Sequence, residues 1–152
     1  MDRTQVVFIE LNTPNKFRHT CDIVEKIYDL GKTATIYVQD IKNAHTLDRQ
    51  LWVWKQELFI PHMIHDSFEG EIEEAIIITT RNDFPAVTDT LILFDPLEAH
   101  QFQSFQLVVD FAEVYDATRL KLSRDRYRTW RDTNQYQMEF FKLGAFLGTF
   151  KA

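Results

Sequence analysis

Val6-Val7-Phe8-Ile9-Glu10-Leu11 decides the fold. The run is apolar but for one residue and shows no alternation, so it reads as a strand covered on both faces, as in a parallel sheet between helical layers. Asn12-Thr13-Pro14-Asn15 breaks it. Phe17, Cys21, Val24, Ile27 and Tyr28 then recur at helical spacing, and Gly31 stands where a helix C-terminus favours glycine. Thr33–Val38 reads as a second strand. Asp40 reads as the N-cap of a helix with Ala44, Leu47, Leu51 and Trp54 on its apolar face. Strand and helix in alternation predict an α/β protein with a mostly parallel sheet and helices packed on it.

Further along, Leu58-Phe59-Ile60 is a short strand candidate ended by Pro61, and Ala75–Thr79 and Thr90–Phe94 are two more. Phe102, Phe105 and Val109 suggest the buried stripe of a third helix, and Asp116 the cap of a fourth running to about Asp132. Tyr136, Phe140, Leu143, Leu147 and Phe150 fall at helical spacing, so 133–152 reads as an aromatic-rich helical extension of a single domain covering 1–152.

The 152 residues suit one domain with its own core, and 13 phenylalanines favour a large core or a core with an adhesive surface. Cys21 is the only cysteine, so neither an internal disulfide nor a cysteine-based zinc site is possible. Residues 1–12 carry no secretory pattern and no stretch is long and apolar enough to span a bilayer; a cytoplasmic protein without membrane contact is expected. A net charge of −6 is a poor basis for binding duplex DNA, which requires neutralising phosphates.

An α/β chain invites an enzymatic reading. The glycines, Gly31, Gly70, Gly144 and Gly148, do not open a helix after the first strand, where phosphate-binding loops need them. No serine has a nucleophile-elbow context, and Cys21 lies on an apolar helix face, where core packing is the ordinary role. His62, His65 and Asp66 could in principle hold a divalent metal, but the spacing is weak and no further ligand can be named. The alternative packs His62 beside Pro61 in a loop and leaves His65 solvated. The sequence therefore predicts no catalytic residue, no metal and no cofactor.

Two features stand out. Between Ala117 and Arg131, six basic residues face one acid, giving this helix +5 and leaving −11 on the rest of the chain. Arg124, Arg128 and Arg131 share a helical face with Tyr127. Guanidinium forks beside an aromatic ring suit an acidic peptide or a chain terminus. The same helix, 117–131, could instead bind single-stranded nucleic acid directly, with Tyr127 and Trp130 as stacking groups. The second feature is Leu51-Trp52-Val53-Trp54 followed by Phe59-Ile60-Pro61-His62. Trp54 shares the core stripe; Trp52 points elsewhere, as an interface anchor would.

Leu47-Asp48-Arg49-Gln50-Leu51-Trp52, Phe59-Ile60-Pro61-His62, Val108-Val109-Asp110-Phe111 and Arg124-Asp125-Arg126-Tyr127-Arg128, in that order, resemble the chi subunit family of bacterial DNA polymerase III from about Val6 to Arg131. The resemblance implies a three-layer, Rossmann-like α/β/α domain without nucleotide binding. It implies a non-catalytic replication adaptor, an accessory of the clamp-loader complex that grips the acidic C-terminal tail of single-stranded DNA-binding protein. It places tail binding on Arg124, Tyr127, Arg128 and Arg131. A second partner, the psi subunit or an equivalent clamp-loader component, would dock on Trp52, Phe59, Ile60 and Pro61. The chain departs from the pattern at Leu120, where the family has a lysine, in a loop one residue longer before Arg124, and in a longer segment after Asp132.

Overall fold

The computed structural model describes residues 3–55, 57–65, 74–84, 88–97 and 102–151. In chain order these form β1 (Thr4–Leu11), α1 (Lys16–Asp29), β2 (Ala34–Tyr37), α2 (Ile41–Val53), β3 (His62–Ile64), β4 (Ile76–Thr79), β5 (Thr90–Leu93), β6 (Leu107–Glu113), α3 (Ala117–Asp132), β7 (Tyr136–Lys142) and α4 (Leu143–Thr149). The strands make one sheet in the order β3-β4-β2-β5-β6-β1-β7, with every pairing parallel.

Local chemistry sets the boundaries. Gly31 takes φ +76°, its N–H donates to the Tyr28 carbonyl at 2.9 Å and that of Lys32 to Ile27 at 3.2 Å, so α1 ends in the paired bonds that a left-handed residue permits. The Asp40 carboxylate accepts the Lys42 N–H at 2.8 Å and that of Asp116 the Arg119 N–H at 3.0 Å, capping α2 and α3.

Alternate residues of β1 divide between two cores. Val7, Ile9 and Leu11 pack with buried side chains of α1, α2 and α4, including Cys21, Leu47 and Phe146. Val6 and Phe8 pack on the other side with Phe102, Phe105 and Trp130 of α3. The result is the expected three-layer α/β/α arrangement with a mostly parallel sheet.

Three segments differ from the sequence reading. Leu107–Glu113 is strand β6, not part of a helix; Phe102 and Phe105 precede it and fill the second core. The first part of the 133–152 segment is also a strand: β7 lies parallel to β1, with Thr4 opposite Tyr136, and only Leu143–Thr149 is helical. The third strand begins after Pro61 rather than ending there, since proline has no N–H to give to the ladder.

Cys21 is fully buried, and burial pushes its thiol pKa up to about 12. At pH 8 the thiolate fraction is on the order of 10⁻⁴. A thiol-specific disulfide reagent is therefore expected to leave the native protein unlabelled and to modify one thiol per chain once denaturant is added; prompt native labelling would mean that α1 opens readily.

Candidate functional site

Helix α3 has three differently used sides. Ser123, Arg126 and Trp130 are buried against the sheet. Trp130 packs on Phe8 and Phe102, with ring centroids 5.5 and 5.0 Å apart. Arg126 clamps the Asp110 carboxylate of β6 with two bonds, Nε to Oδ2 at 2.9 Å and an Nη to Oδ1 at 3.1 Å. Oδ1 also accepts the Phe111 N–H at 2.6 Å. Asp110 is pushed above the usual carboxylate range by burial, while Arg126 and the Phe111 amide pull it back.

On a second side, α3 overhangs a cleft of about 650 Å³. Phe8 and Ala112 line its sheet side, and Val114 and Phe140 also border it. Arg124, Tyr127, Arg128 and Leu120 line it from the helix. Tyr127 meets the ring of Phe8 edge-on at 5.2 Å. The lining is mostly apolar, with two guanidinium groups and one carboxylate, Glu10, so its charged rim is net positive and can hold an apolar end group and carboxylates together.

Three of the four residues expected for tail binding, Arg124, Tyr127 and Arg128, thus line one cleft. Arg131 does not line it; its exposed guanidinium bonds Asp132 at 3.1 Å. Phe140 is a cleft residue that spacing in the sequence does not reveal: only the pairing of β7 with β1, which sets it opposite Phe8, brings it there. Leu120 adds apolar surface to the cleft.

The third side of α3 faces a crevice of about 430 Å³ past the carboxyl ends of β1, β5 and β6, where open α/β sheets receive ligands. Here the chain's own charges bridge it. Glu113 accepts from Lys16 at 3.5 Å, Arg119 at 3.1 Å and the Tyr115 hydroxyl at 2.5 Å. Burial drives the Lys16 pKa down, against the pull of Glu113. Burial and the bond to Glu113 push the Tyr115 hydroxyl up to about 12.

The aromatic patch around α2 divides as well. Trp52 and Phe59 are 56% and 68% exposed, with their rings 5.8 Å apart. Pro61 is partly exposed, but Ile60 is buried in the first core. Trp54 packs against that core and donates from its indole N–H to Glu25 at 2.9 Å. His62 opens β3 instead of lying in a loop, and is buried beneath Trp52 at 4.7 Å. Its ring nitrogens meet the carbonyls of Ile60 at 2.7 Å and Asp48 at 3.2 Å. His65 is buried rather than solvated, and Asp66 lies outside the described residues. Among the described residues, no three histidine, cysteine or acidic side chains gather as a metal site would require, and no helix is long and apolar enough to cross a membrane.

The fold is similar to the structure of the C-terminal domain of the DEAD-box protein Dbp5, with a TM-score of 0.59 over 93% of this chain and 91% of that one, at 16% identity. At that identity the likeness concerns the fold alone. In sequence the chain is 29% identical over 111 residues to DNA polymerase III subunit chi of Escherichia coli, covering 73% of this chain and 75% of that protein. It is 28% identical over 113 residues to the subunit chi of Pseudomonas aeruginosa, covering 74% and 76%. The family model described as DNA polymerase III chi subunit, HolC, matches residues 3–138. Strands β1 to β6, helix α3 and the start of β7 all fall within that match, and the chain belongs to the DNA polymerase III chi subunit family.

Proposed function

We propose that the cleft beneath α3 is where this chain grips the acidic C-terminal tail of single-stranded DNA-binding protein. Chi subunits are non-catalytic adaptors between that protein and the clamp loader. The observation that carries the reading is that Arg124, Tyr127 and Arg128 line one cleft together with an apolar surface that includes Phe8 and Ala112. Guanidinium groups take aspartates and the terminal carboxylate, and the apolar surface takes the last ring of the tail. Direct stacking of nucleic-acid bases is less well served, because Trp130, one of the two rings it would use, is 3% exposed.

The second docking surface is Trp52, Phe59 and Pro61, held in place by buried Ile60, and its occupant is the psi subunit or an equivalent clamp-loader component. This patch adjoins the β3 edge of the sheet and the tail cleft the β7 edge. Six strand spacings separate the edges, roughly 29 Å, so two partners can be held at once.

A labelled peptide ending in Asp-Asp-Ile-Pro-Phe, titrated beside a labelled single-stranded oligonucleotide, tests the cleft. Saturable peptide binding that weakens with salt is expected, with the oligonucleotide left free. Arg124→Ala should weaken the peptide about 10- to 150-fold, the loss of one charge-assisted contact. Binding of the oligonucleotide in place of the peptide, or unchanged peptide affinity in Arg124→Ala, would overturn the assignment.

A further inference from the structure

The two cleft arginines are not in the same state. The Arg124 side chain makes no ion pair or hydrogen bond to any other described residue, whereas Arg128 donates to the Asp125 carboxylate at 2.9 Å, one helical turn away. Both members of that pair are about half exposed, with side chains 61% and 49% accessible. A carboxylate of the chain itself therefore sits on the group that an incoming carboxylate would use.

We infer that Asp125 is an internal competitor for the acidic ligand, so that Arg124 is the ready cation of the cleft and Arg128 engages only by exchanging Asp125 for the ligand. This rests on the cleft being the peptide site. It follows that Asp125 sets the affinity without touching the ligand. The exchange replaces one exposed ion pair by another, so Arg128 contributes less than its charge suggests. Arg124 exchanges only water. A ligand that supplies a single carboxylate gains little at Arg128, whereas a peptide anchored at Arg124 and on the apolar floor presents its second carboxylate at high effective concentration. The competitor thus favours multiply anchored acidic peptides over stray carboxylates.

A double-mutant cycle separates this mechanism from a simple change in net charge. Wild type, Asp125→Asn, Arg128→Ala and the double variant are titrated into the same Asp-Asp-Ile-Pro-Phe peptide, with circular dichroism as a check on folding. With Arg128 present, Asp125→Asn should tighten binding about two- to five-fold, the range of one exposed ion pair. In the Arg128→Ala background the same substitution should give a clearly smaller factor, since no guanidinium is released. An equal factor in both backgrounds would show bulk electrostatics and overturn the inference, as would no tightening in either. If none of the four proteins binds the peptide, the cleft reading itself fails and takes this inference with it, a result distinct from binding without coupling.

Discussion

Arg126→Met is expected to lower the unfolding free energy by about 3–5 kcal/mol, the cost of leaving one member of a buried ion pair without its partner. Asp110 is 1% exposed and receives two bonds from Arg126; methionine fills similar space but leaves the buried carboxylate without its guanidinium, with only the Phe111 N–H bonded to it and Lys16 acting at longer range. Chemical denaturation at neutral pH measures the loss. Adding Asp110→Asn to the same chain should recover part of it, because an amide is far cheaper to bury than a charge. The pH dependence has a definite sign. Burial already raises Asp110, and Arg126 and the Phe111 amide oppose the rise; without the guanidinium the carboxyl climbs further. A carboxyl whose folded pKa lies above its unfolded value favours folding at low pH, and that contribution is lost as pH rises through the folded value. The gap between wild type and Arg126→Met should therefore narrow on acidification. A gap that is constant, or that widens, would mean Asp110 does not carry the buried charge in the variant.

Phe146→Ala should cost about 3–5 kcal/mol as well, by leaving a cavity where a large ring was packed. Phe146 is fully buried and stacks on Phe150 at 4.6 Å, with Phe141 edge-on at 5.9 Å. These rings join α4 and β7 to the core shared with α1 and α2. The loss should appear as a lower denaturation midpoint at unchanged m-value. A change below about 1 kcal/mol, the level of a surface substitution, would show that α4 merely rests against the domain.

The sequence readings succeeded where one local force dominates. Runs buried on both faces marked β1, β2, β4 and β5, and side-chain capping marked the starts of α2 and α3 at Asp40 and Asp116. They failed where spacing was ambiguous. Phe102, Phe105 and Val109 sit three and four apart, yet Leu107-Val108-Val109 is an apolar run buried on both faces, and such a strand has no period to read. In the tail, Phe140 satisfies both a helical count from Tyr136 and the alternation Tyr136, Met138, Phe140. Pairing with β1 selects the strand. For the cleft, helical spacing alone brought Arg124, Tyr127 and Arg128 together. It could not show that Arg126, counted with the same basic helix, turns inward to Asp110. That bond joins two of the segments that carry the family resemblance, Val108–Phe111 and Arg124–Arg128.

The position of β1 has a consequence for how the chain is made. Its ladder partners are β6 and β7, whose residues follow it by about a hundred positions or more. At roughly 5–20 residues per second, ribosomal synthesis takes several seconds or longer to deliver them. For that interval β1, with its apolar run Val6–Ile9, has both backbone edges open, while β2, β4 and β5 can already pair with one another. The sheet closes around β1 only after β6 and β7 have emerged, and until then the nascent chain carries that strand unpaired.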